Sequence, residues 1–172
     1  MNYLEVFGAS AGAIAVLMIG TWVVSVRLKN ASIVDIVWGA GFVLVAWVSY
    51  ALGDGVASRK MLLAWMVTLW GGRLAVYLFI RNHGKGEDPR YGAMRKRRGD
   101  KFAVQSLWLV FGLQGVLMWI VSLPVQVGSV ADQPASLGPV EIVGVILYTV
   151  GIYFESTGDF QLSQLKDDPA NA

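Results

Sequence analysis

Cysteine is absent from the 172 residues and histidine occurs once, at His83. The first absence removes any disulfide framework, thiol nucleophile or thiolate metal site, and the second removes a multi-histidine metal centre, so no metal ligands are expected. His83 reads as a polar loop residue beside Gly84. Charge is also scarce: Asp, Glu, Lys and Arg make up 15% of the chain, against 55% hydrophobic residues. A soluble domain carries about 25% charged residues, and a nucleic-acid module needs a basic face on a water-soluble surface; both classes are excluded. With a net charge of only +2, the positions of the charges matter more than their sum. Also missing is a basic amino-terminal region: residues 1–5 hold no Lys or Arg, and the apolar run 6–26 is long enough to span, so it reads as a retained helix and not a cleaved leader.

What is present is long apolar runs. After 6–26 come 32–52, 61–80, 104–127 and a fifth beginning near residue 140. A bilayer core of about 30 Å needs about 20 helical residues, because in lipid the backbone must satisfy its own hydrogen bonds. Alternation of apolar and polar residues, the mark of a barrel strand, is absent. The predicted fold is all-α: a polytopic transmembrane bundle of five helices forming one membrane domain over 1–172, with 127–139 as an outer loop. Lys and Arg follow the first and third runs, with eight basic residues between Arg81 and Lys101, while the loop after the fourth run has none. The positive-inside rule then predicts an inner-membrane protein with its amino terminus outside and its carboxyl terminus cytoplasmic.

The fifth run poses a problem of length. Thirteen uncharged residues separate Glu141 from Glu155, about 20 Å of helix, which is short of the hydrocarbon thickness. To cross, the helix must continue to about residue 162, carrying Glu155 and Asp159 into the cytoplasmic half. Four residues apart, they share a face. Ionisable groups at that depth cost a few kcal/mol unless they face a polar cavity or a partner, so a cytoplasm-facing cavity is expected beside them. Arg73 lies about two turns inside the third helix, and Tyr77 and Arg81 follow at steps of four, forming a polar stripe. Guanidinium forks suit phosphate, whereas carboxylates suit hydroxyls or an amide; a nucleotide cofactor offers both. Asp35 reads either as a helix-dipole charge or as a cavity residue, and Gln114 as an interhelical hydrogen bond.

The stretch "RNHGKGEDPRYGAMRKRRGDKF" sets eight basic residues against three acidic ones. It is expected to fix topology and to attract anionic lipid headgroups. Within it, "GKGEDPRY" predicts a shaped turn and "MRKRRGDK" a solvated run. Neither a Walker loop nor a Rossmann fingerprint occurs.

Three stretches, "KNASIVDIVWG", "GGRLAVYLFIRNHGKGEDPRYGAMRKRRGDKF" and "FESTGDFQLSQLKDDPANA", resemble the bacterial membrane proteins called domain of unknown function 1295, related to steroid 5-alpha reductase. The resemblance implies about seven helices around an NADPH cavity open to the cytoplasm, with a lipid or sterol-like substrate arriving from the membrane. It implies cofactor contacts from Glu155, Asp159 and Lys166 on the late helix and from Arg73, Tyr77 and Arg81 on the earlier one. The reductases also carry an enone-polarising glutamate and a tyrosine just before the Arg73 position; here Trp70 and its glycine neighbours occupy that region and no equivalent glutamate is evident, so no catalytic acid is assigned. Relatives continue past "DDPAN" into two further helices with an Arg-His-Pro-Asn-Tyr motif. The expectation is thus a domain incomplete at its carboxyl end, or one whose missing helices come from a protein partner. Two alternatives stay open: a methyltransferase of the isoprenylcysteine carboxyl methyltransferase type, and a non-catalytic membrane component.

Overall fold

In a computed structural model, which describes residues 2–167, the chain is helical, with no strand among the described residues. Five helical segments are long and apolar enough to cross a bilayer: Tyr3–Leu28, Ile33–Leu52, Ala57–Asn82, Pro89–Val121 and Pro139–Leu165. This is a multi-pass membrane protein of the all-α class. The chain divides into two compact units, Met1–Gln133 and Pro134–Ala172.

The first unit opens with α1 (Tyr3–Leu28). A capping box starts it: Asn2 Oδ1 accepts from the Glu5 amide at 3.0 Å and the Asn2 amide donates to the Glu5 carboxylate at 2.9 Å, satisfying two otherwise orphaned donors. Val6, Ser10, Ile14, Met18, Thr21 and Ser25 recur at three- and four-residue steps and form its buried face. Leu4 and Val16 project outward, as lipid contact requires. Helix α2 (Ile33–Leu52) packs between α1 and α3 (Ala57–Asn82). α2 and α3 approach closely at Gly39 and Gly71, where a Cβ on either residue would collide with the carbonyl oxygen of the other. Small residues permit such backbone contact, a common device between membrane helices. Beside it the Phe42 ring meets Trp38 and Trp70 edge-on, each with centroids 5.3 Å apart.

Two features of the fourth run differ from the sequence expectation. The basic stretch is not a loop: α4 (Pro89–Arg98) leads through a 3₁₀ turn (Gly99–Lys101) into α5 (Phe102–Ser106), a π-helical turn (Leu107–Gly112) and α6 (Leu113–Val121). The transmembrane part also stops at Val121 and not at 127. Pro124 cannot donate to the preceding turn and its ring crowds that turn's carbonyl, so the chain bends at Ser122 and restarts as α7 (Leu123–Val130). At this end the Gly55 and Val56 amides bond the Ser129 and Ala131 carbonyls at 3.1 and 3.3 Å. The buried Arg59 guanidinium donates to the Ala131 carbonyl at 3.1 Å.

The second unit holds α8 (Pro139–Asp167), 29 residues long. Glu141 opens it by accepting from the Gly138 amide at 2.8 Å. The helix continues unbroken past Glu155 and Asp159 and beyond residue 162, as the length argument requires.

Candidate functional site

On α3 the structure aligns Arg73, Tyr77 and Arg81 along one face, at successive four-residue steps covering about 12 Å. All three are half-buried. The Arg81 guanidinium lies over the Tyr77 ring, 5.7 Å from its centroid, a cation–π contact that fixes the two side chains relative to each other. Its Nε donates to Asn82 Oδ1 at 3.3 Å. The donors therefore run in series: guanidinium, phenol hydroxyl, guanidinium.

The α3 stripe ends beside a polar cluster that knits α4 to the start of α2. Tyr91, only 7% exposed, donates its hydroxyl hydrogen to Asp35 Oδ1 at 2.8 Å. Gln114 also reaches that hydroxyl. Arg90 Nη2 bonds Asp35 Oδ2 at 3.1 Å, while its Nε bonds Asp88 Oδ1 at 2.9 Å. Asp88 caps α4 by accepting from the Arg90 amide, and its own amide donates to Ser32 Oγ at 2.7 Å. Glu87 takes both forks of Arg95 at 2.8 Å and accepts from the Ala31 amide at 2.8 Å.

The electrostatics follow the contacts. Hydrogen bonding from Arg95 holds the Glu87 carboxyl below the usual carboxylate range, against the opposing effect of burial. Arg90 does the same for Asp88, with a smaller attraction from Arg81. Sequence reasoning left Asp35 open between a helix-dipole charge and a cavity residue and read Gln114 as an interhelical hydrogen bond, but it did not connect them to Glu87, Asp88, Arg90, Tyr91 and Arg95. The available signal was three acidic residues embedded in a basic stretch, since each could neutralise a specific neighbour. His83 sits at the end of α3, as the sequence suggested.

In the second unit, Glu155 and Asp159 lie one turn apart on a single face of α8. Lys166 belongs to the last turn of that helix; its side chain, and residues 168–172 of the closing stretch, lie outside the described residues. No group of three or more His, Cys, Asp or Glu suited to a metal occurs among the described residues.

Two guanidinium groups and a phenol on one stripe supply what phosphate oxygens accept, and two carboxylates on one helical face supply what ribose hydroxyls or a carboxamide donate to. The model of the family described as "Protein of unknown function (DUF1295)" matches residues 21–172 of the chain. Neither the curated proteins nor the solved structures contain a match.

Proposed function

The chain belongs to the DUF1295 family, and from that premise we propose that it forms part of an NADPH-dependent membrane reductase acting on a carbon–carbon double bond of a lipid-type substrate. The observation that carries this reading is the Arg73, Tyr77, Arg81 stripe: three phosphate-compatible donors kept on one face of a membrane-spanning helix. A guanidinium within an apolar helix is expensive without function, and two on one stripe mark a polar path.

In this reading Arg73 and Arg81 hold phosphate groups through charge-assisted hydrogen bonds, and Tyr77 donates a neutral one between them. Glu155 and Asp159 accept from ribose hydroxyls or the carboxamide, and Lys166 is the further cofactor residue that the family resemblance implies. NADPH, when bound, supplies the hydride. The protein's task is orientation, holding the reacting carbon near the cofactor while the surrounding helices exclude water. The amino terminus lies outside and the basic end and carboxyl terminus face the cytoplasm, where the cofactor is available; the excess of Lys and Arg at that end supports this orientation.

Purified protein in lipid nanodiscs, titrated with NADPH and separately with S-adenosylmethionine, tests the reading. Saturable enhancement of NADPH fluorescence is expected, with no competition from S-adenosylmethionine. Preference for S-adenosylmethionine would favour a methyltransferase instead, and binding of neither would favour a non-catalytic component.

A further inference from the structure

Two indole hydrogen bonds fix α1 antiparallel to the α5–α6 run. Trp22 Nε1 donates to the Ala103 carbonyl at 2.8 Å, and Trp119 Nε1 donates to the Phe7 carbonyl at 3.1 Å. The two pins are about 22 Å of helix apart on α1. Between them the helices leave a groove of about 510 Å³, almost wholly apolar and open on one side. Small residues make it: Ala11 and Ala15 on α1, and Gly112 and Gly115 across from them. The π-helical turn forms one wall, with Phe111 buried behind it and Trp108 standing 73% exposed at the rim. π-helical turns inside longer helices recur at functional sites.

The basic end adds a second, independent observation. Arg90 and Arg95 are neutralised by Asp35, Asp88 and Glu87. Arg27, Lys29, Lys96, Arg97 and Lys101 are exposed, and no ion pair or hydrogen bond from their side chains occurs among the described residues. On the basic side of the Trp22–Ala103 pin, α1 runs on to Arg27 and Lys29, and the chain leading into α5 carries Lys101. Ala11, Ala15 and Met18 of α1 line the groove, and Lys29 caps the same helix at its basic end. From Lys29 to the near edge of the groove at Ile19 is about 15 Å of helix, about the hydrocarbon depth of one leaflet. A chain whose phosphate sits among these cations delivers its methyl end to the groove.

We propose that this surface binds one anionic phospholipid of the surrounding bilayer, its phosphate among Arg27, Lys29 and Lys101 and the end of one acyl chain between α1 and α6. Charge complementarity selects the occupant: a neutral lipid would leave the cations unused, and a free phosphate would leave the groove unused. The proposal is independent of the nucleotide site.

The test uses phosphatidylglycerol and phosphatidylcholine carrying a photoreactive diazirine near the acyl methyl end, each presented to the full chain in nanodiscs of mixed lipid. Phosphatidylglycerol is expected to label peptides covering residues 11–19 and 107–116 in preference to phosphatidylcholine. K29N suits the left-handed backbone at that position (φ 53°), and with K101Q it should weaken the preference roughly five-fold per charge removed. A15F, at an exposed position, should block labelling by filling the groove without disturbing the buried core. Equal labelling by both lipids, or a preference unchanged in the K29N/K101Q protein, would overturn the proposal. Saturable displacement of the label by a neutral long-chain lipid at equal concentration would also overturn it, assigning the groove to a substrate chain.

Discussion

The Tyr91 hydroxyl of α4 donates to Asp35 Oδ1 of α2 at 2.8 Å, linking positions 56 residues apart and seating the basic helix on the bundle. The same carboxylate meets Arg90, but that side chain is 69% exposed whereas Asp35 is 16% exposed. Exposure decides which contact matters. A hydrogen bond to a charged acceptor contributes about 1.5–3 kcal/mol where water is excluded, whereas an exposed ion pair contributes about 0–1 kcal/mol. Tyr91→Phe is therefore expected to destabilise the protein clearly more than Arg90→Gln. Thermal unfolding in detergent, followed by the loss of the monodisperse chromatographic peak, gives the order.

Acid should loosen the same end of the molecule. The Glu87 carboxyl is held below the usual carboxylate range by hydrogen bonds from Arg95, so its folded-state pKa lies below its unfolded value. The stabilisation is then fully present above the unfolded value and is lost as pH falls through the folded one. The wild-type protein is expected to lose stability as pH drops below about 4.5. Glu87→Gln should be less stable than wild type at neutral pH and show a shallower acid dependence. Melting curves collected from pH 7 downward test this; parallel profiles would contradict it.

Adjacent glycines on α3 should behave oppositely. A Cβ at Gly71 would run into the Gly39 carbonyl oxygen and crowd Val43, whereas nothing lies within 4 Å of a Cβ built at Gly72. Gly71→Ala is expected to force the α2–α3 crossing apart, a strain of about 1–3 kcal/mol. Gly72→Ala should be neutral or stabilising by up to about 1 kcal/mol, since Ala is the better helix former. Comparing the two melting temperatures in one detergent decides the matter.

The spans were legible because lipid imposes a simple length rule, and a helix that crosses must hold about 20 apolar residues wherever its partners lie. The same arithmetic foresaw that α8 runs past Glu155 and Asp159, and steps of four foresaw the Arg73, Tyr77, Arg81 stripe. The helical path from Pro89 to Lys101 was not legible. Its basic residues suggest solvent, and their neutralisation depends on Asp35, remote in sequence, and on pairings such as Glu87 with Arg95 that local spacing does not specify. The break at Ser122 had a visible cause in Pro124, but the hydropathy of 104–127 outweighed it. The π-helical turn and the α1–α6 groove had no sequence signature; the groove depends on how Gly115 meets Ile14 and Met18 of α1.

The central proposal is that the protein binds NADPH and that Arg73, Glu155 and Asp159 each contribute to the affinity. Its most direct test is the NADPH affinity of purified wild type, Arg73→Gln, Glu155→Gln and Asp159→Asn, measured by nucleotide fluorescence on samples of matched monodispersity. Wild type is expected to bind saturably, and each variant roughly ten-fold more weakly or worse, as loss of one charge-assisted hydrogen bond requires. Wild-type affinity in all three variants, or no binding by well-folded wild-type protein, would contradict it.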